Sequence, residues 1–115
     1  MMRPLYGAIE AGGTKFVCGV GHGPGELLES RRIETASPTQ TLATVVEYFA
    51  DAQQRLGRLH SFGIGSFGPI ELDRNAPDWG RLLTTPKPGW SNVDLAAPLR
   101  ERFGLPVAIE TDVNA

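Results

Sequence analysis

The segment that most constrains the fold is Gly7-Ala8-Ile9-Glu10-Ala11-Gly12-Gly13-Thr14-Lys15-Phe16-Val17-Cys18-Gly19-Val20, in which two adjacent glycines divide two short apolar runs. Ile9 on one side and Phe16, Cys18 and Val20 on the other read as strands, and a glycine pair between them can take positive φ and reverse the chain into a hairpin. Such a turn can also leave backbone N–H groups in open space. Successive N–H groups form a concave nest that suits phosphate oxygens, Thr14 adds a hydroxyl donor, and Glu10 at the strand end is placed to hold a metal counter-ion. Alone, Gly-Gly-Thr favours an ordinary hairpin turn, so the rest of the chain has to decide.

At 115 residues the chain is one domain at most, large enough for a single core. Its 41% hydrophobic and 21% charged residues and net charge of -2 describe a soluble globular protein, with no basic excess to attract nucleic acid or an acidic membrane surface. Cys18 is the single cysteine and lies in an apolar strand pattern, which excludes a disulfide framework and predicts a small buried hydrophobe in a reducing cytoplasm. Met1 to Tyr6 carries no long apolar run, so neither a signal peptide nor a membrane-spanning helix is expected. His22 and His60 are expected at the surface.

Strands are predicted over Leu5 to Glu10, Lys15 to Val20 and Leu27 to Ile33, forming an antiparallel meander broken by Gly21-His22-Gly23-Pro24-Gly25. Ser37-Pro38-Thr39-Gln40 combines an N-cap residue, proline at the first helical position and glutamine three residues after the cap. A helix over Pro38 to Leu56 follows, with Leu42, Val45, Val46, Phe49 and Leu56 on one stripe and Gly57 as its stop. Ser61 to Phe67 is predicted as a buried strand reached by a crossover, hence parallel to its neighbour. Pro69 to Trp90 is irregular, and loops of this length in compact domains are usually functional or disordered; Trp79, Leu82, Leu83 and Trp90 argue against disorder. Leu95, Leu99 and Phe103 mark a second helix after an Asp94 cap, ended by Gly104 and Pro106, and Val107 to Glu110 is a last strand. The order β-β-β-α-β-α-β is that of a ribonuclease H-like α/β domain with a five-stranded mixed sheet. In it the first, fourth and fifth strands are parallel neighbours, so that Glu10, Phe67-Gly68 and Asp112 converge at one sheet edge.

Gly63-Ile64-Gly65-Ser66-Phe67-Gly68 is a literal G-x-G-x-x-G, but its glycines lie within and just after a strand and Pro69-Ile70-Glu71 starts no helix, so a dinucleotide site is not expected. Gly12-Gly13-Thr14-Lys15 also lacks the spacing of a Walker P-loop. A phosphate nest at one strand end and Asp112 at another suit phosphoryl transfer, with Asp112 accepting the proton of an attacking hydroxyl. A helix N-cap is the alternative role of Asp112, and the two are compatible.

These residues carry a resemblance. Glu10-Ala11-Gly12-Gly13-Thr14-Lys15, Gly63 to Pro69, Thr85-Pro86-Lys87-Pro88-Gly89-Trp90 and Asp112-Val113-Asn114-Ala115 are similar, in order, to four motifs of the ROK family of sugar kinases, nearest its fructokinase-like members. The resemblance implies an actin-like ATPase lobe with Gly12, Gly13, Thr14 and Lys15 on the ATP phosphates, Glu10 near Mg2+, and Gly68, Pro69, Lys87 and Asp112 at the sugar, Asp112 being the catalytic base. It implies ATP and Mg2+, a hexose acceptor with fructose favoured, and a homodimer of the full-length protein. Many members carry Asp where this chain has Glu10 and Asn where it has Thr111. Glu10 and the Lys87 loop favour the fructokinase-like subgroup; Thr111 weakens any sugar contact at that position.

Members of the family run to nearly three times this length. Residues 1–115 therefore read as the N-terminal ribonuclease H-like lobe, with the adenosine-binding lobe, further sugar contacts and a Zn2+ motif expected in a C-terminal half absent from the chain, and the isolated piece expected to be inactive. Glucokinase, or another hexose or amino-sugar kinase, is the alternative within the family. A sugar-responsive repressor and a non-catalytic sugar- or nucleotide-binding domain are the alternatives outside catalysis, the repressor disfavoured because no DNA-binding segment fits before Leu5.

Overall fold

Sheet pairing starts from the glycine hairpin and spreads outward. The computed structural model describes residues 3–23, 25–66, 75, 77, 79, 89–90 and 93–111. Along them run β1 (Leu5–Ala11), β2 (Lys15–Gly21), β3 (Leu27–Glu34), α1 (Pro38–Leu56), β4 (Leu59–Ser66), α2 (Ala97–Phe103) and β5 (Val107–Thr111). One five-stranded sheet has the spatial order β3-β2-β1-β4-β5. β1 is antiparallel to β2, as β2 is to β3, while β4 is parallel to both β1 and β5. This is the ribonuclease H-like, actin-like ATPase arrangement expected from the order of elements.

Local chemistry explains the element ends. Ser37 takes an extended backbone and its hydroxyl accepts the Gln40 N–H at 3.2 Å, while proline in the first turn costs no hydrogen bond. The Gln40 side chain returns to the Ser37 hydroxyl at 3.3 Å rather than to its backbone N–H, a variant of the capping box. Gly57, with φ 122, stops the helix where predicted. β4 begins two residues earlier than predicted, because the Leu59 N–H donates to Gln53 Oε1 at 3.0 Å and the Leu59 side chain is buried. Its predicted last residue, Phe67, lies outside the described residues. α2 starts later than Asp94, whose carboxylate instead accepts the N–H groups of Ala96 and Ala97 at 3.0 and 2.9 Å in the turn before the helix.

Both helices cover the same face of the sheet. Leu5, Ile9, Phe16, Val20, Leu59, Phe62, Ile64 and Val107 point into the core, where Phe49 of α1 meets Phe62 of β4 edge-on at 5.0 Å and Phe62 meets Phe103 of α2 at 5.2 Å. Cys18 is fully buried and burial pushes its thiol up to about 12, so it behaves as the small hydrophobe anticipated. On the opposite face Ala8, Glu10, His60, Gly63 and Ala108 are exposed. His22 is half-buried and donates from Nδ1 to the Pro4 carbonyl at 3.0 Å. Among the described residues no helix is long and apolar enough to cross a membrane.

The outer strand β3 is tied to α1 by charge. Arg55 donates to both carboxylate oxygens of Glu29, at 2.9 and 3.0 Å, and to Asp51 at 2.7 Å, while the Tyr48 hydroxyl donates to Glu29 at 2.6 Å. These bonds, Arg55 first and Tyr48 second, hold the Glu29 carboxyl at about 2, below the usual 4.5. A folded-state value below the unfolded one gives stability that is complete above 4.5 and fades as the pH falls towards 2. Thermal melts followed by circular dichroism across that interval are expected to show a falling midpoint for the unmodified chain and a flatter profile for Glu29→Gln.

Candidate functional site

Three strand ends meet at one edge of the sheet. Ala11, the last residue of β1, pairs with Ser66, the last of β4, and Ser66 pairs with Thr111, the last of β5. Parallel strands in this register release the chain on the same side, the edge at which α/β sheets bind ligands. Glu10 stands one residue back on β1, opposite Val17 and Gly65, exposed on the face away from the helices. Gly68, Pro69, Lys87 and Asp112, also expected here, lie outside the described residues.

The hairpin tip differs in one respect from expectation. Neither Gly12 nor Gly13 has positive φ. The turn is closed instead by the Gly12 N–H donating to the Lys15 carbonyl at 2.9 Å, and glycine is required at 12 because a Cβ there would sit 2.8 Å from that carbonyl oxygen. At Gly13 a Cβ would meet nothing within 4 Å. The Gly12 amide is therefore spent inside the turn, and the expected nest is narrower. Its remaining donors are the N–H groups of Gly13 and Thr14, which have no hydrogen-bond partner among the described residues, and the exposed Thr14 hydroxyl and Lys15 ammonium.

Behind the tip stands a brace that the sequence reading missed. Thr35, the first residue after β3, donates its hydroxyl to the Gly12 carbonyl at 2.9 Å and its N–H to the Thr14 carbonyl at 3.0 Å. Ala36 is held on both sides, its N–H by Thr41 Oγ1 at 2.8 Å and its carbonyl by the Trp90 indole N–H at 3.2 Å. Trp90 is 1% exposed and packs on Phe16, ring centroids 5.6 Å apart. The one available signal was positional: a strand antiparallel to β2 must deliver its next residues beside the turn that begins β2.

In the literal G-x-G-x-x-G, Gly63 and Gly65 lie inside β4 rather than after it, which is not the placement of a dinucleotide fingerprint, and Gly68 lies outside the described residues. For a divalent cation, the described residues contain no group of three or more His, Cys, Asp or Glu side chains. A lone exposed carboxylate such as Glu10 fits Mg2+, which takes one or two carboxylates and fills its shell with phosphate oxygens and water.

Gly12→Ala is expected to lower stability by about 1–3 kcal/mol, since the added methyl meets backbone that must shift, whereas Gly13→Ala enters open space at a φ any residue adopts and is expected to be neutral or slightly stabilising. Urea unfolding of the two variants side by side measures the contrast.

The chain is 46% identical to the fructokinase of Zymomonas mobilis over 113 residues, 97% of this chain but 38% of that protein, so it spans well under half the length of the relative it matches. Among solved structures it resembles the ROK hexokinase from Thermus thermophilus, with TM-score 0.77 and 25% identity over 96% of this chain and 36% of that one. It also resembles a ROK family glucokinase from Streptomyces griseus in complex with glucose and AMPPNP, with TM-score 0.70 and 26% identity over 96% of this chain and 34% of that one. The ROK family match itself runs over residues 6–115, from the start of β1 through all five strands, and the chain belongs to the ROK family.

Proposed function

We propose that this chain is the N-terminal lobe of an ATP-dependent sugar kinase that transfers the γ-phosphoryl group to a hexose hydroxyl, with fructose as the acceptor. The observation that carries the reading is the shared edge of β1, β4 and β5, with the amides of Gly13 and Thr14, unpartnered among the described residues, at its hairpin. Fructose is favoured over glucose by the 46% identity to a fructokinase against 26% to a glucokinase.

In this reading the Gly13 and Thr14 amides, the Thr14 hydroxyl and Lys15 grip the ATP phosphates, with Gly12 shaping the turn rather than donating to the ligand. Glu10 holds Mg2+, which when bound neutralises phosphate charge. Gly68, Pro69 and Lys87 line the sugar side. Asp112 accepts the proton of the sugar hydroxyl as its oxygen bonds to the γ-phosphorus; the bond from that phosphorus to the bridging oxygen breaks, and ADP leaves. A positioned carboxylate is needed because a neutral alcohol is a poor nucleophile. The zinc motif of the resemblance is assigned to no residue of this chain, and the full-length protein is taken as a cytoplasmic homodimer.

Asp112→Asn in the full-length kinase is expected to lower kcat by about 10²–10⁴-fold while ATP and sugar still bind, read from a coupled ADP-release assay and from calorimetric titration. Little change in kcat defeats the base assignment. The 115-residue chain alone is expected to show no ATP- and fructose-dependent turnover in the same assay, because it spans only 38% of the length of the fructokinase it matches.

A further inference from the structure

We propose that Thr35 is a positioning residue for nucleotide binding, acting through the Gly12 carbonyl; the inference rests on reading the hairpin as the phosphate grip. Backbone can hold an anion only where N–H groups point towards it and carbonyl oxygens point away. The Gly12–Gly13 peptide is one planar trans unit, so its C=O and N–H point in opposite directions. Thr35 Oγ1 captures that C=O at 2.9 Å, on the side of β3. The Gly13 N–H is thereby aimed to the side away from Thr35.

Two further acceptors of the tip, the Thr14 and Lys15 carbonyls, are also engaged. The Thr14 carbonyl accepts the Thr35 N–H at 3.0 Å and the Lys15 carbonyl accepts the Gly12 N–H at 2.9 Å. Thr35 cannot drift from this post. Its neighbour Ala36 is fastened at its N–H by Thr41, which is 1% exposed, and at its carbonyl by the buried indole of Trp90. The hydroxyl of Thr35 thus orients a donor it does not itself become, without touching the ligand.

Thr35→Val removes the hydroxyl bond to Gly12 and keeps the shape of the side chain and the backbone bond to Thr14. In the full-length kinase it is expected to raise KM for MgATP about fivefold, the size of one neutral hydrogen bond, with KM for fructose within about twofold of the unmodified enzyme. Thr35→Ser, which restores the hydroxyl, is expected to restore KM for MgATP. A merely structural residue would lower the melting temperature and leave the ratio of the two KM values unchanged. A folded Thr35→Val enzyme with unaltered KM for MgATP overturns the inference; should that variant fail to fold, Thr35→Ala is judged by the same criterion. If the unmodified full-length enzyme neither binds nor uses ATP, the phosphate-grip reading fails first and carries the inference down with it.

Discussion

β1 is hydrogen-bonded along both edges, antiparallel to β2 and parallel to β4, and the position of every other element is referred to that strand. The antiparallel edge sets the hairpin, and through it β3 and the residues that follow. The parallel edge sets β4, and β4 sets β5. Because a one-residue slip would turn Leu5, Ile9 and Ala11 out of the core and expose them to water, the register is fixed by burial as well as by pairing. A fixed register on both sides is what brings the last residues of three strands to a common edge while the hairpin tip stands beside them.

Core and edge divide the labour between them. The aromatic chain from Phe49 through Phe62 to Phe103 locks both helices to β4, leaving the strand ends to be shaped by short-range hydrogen bonds. The Glu29, Tyr48 and Arg55 cluster acts at the far side of the sheet, keeping the exposed strand β3 against α1. That anchorage matters at a distance, because the end of β3 delivers Thr35 to the hairpin.

Most of the architecture was legible in the residues. Ser37-Pro38 and Gly57 bracket α1 with local signals, so its bounds follow from a few side chains. The glycine pair announces the hairpin, and the order of strands and helices announces the parallel half of the sheet. What escaped was set by register rather than by neighbours in sequence. Thr35 is far in sequence from the Gly12 carbonyl it caps, and no pattern within a strand or helix marks it. The positive φ expected at the glycine pair failed for a related reason: the turn is closed through Gly12 and held by Thr35, a geometry that demands absence of a side chain rather than left-handed backbone. Among the expected site residues, Glu10 and Gly12 to Lys15 are described, and Gly68, Pro69, Lys87 and Asp112 are not.

The two tryptophans stand in different surroundings, and this makes the chain its own optical probe. Trp90 is buried against Phe16 with its indole N–H engaged by Ala36, whereas Trp79 is half-buried with the Arg100 guanidinium over its ring at 5.4 Å. A buried, hydrogen-bonded indole emits differently from one at the surface. Its fluorescence reports the state of the linker behind the hairpin without any label, so a motion of the tip too small to alter the helical signal has a spectroscopic handle of its own.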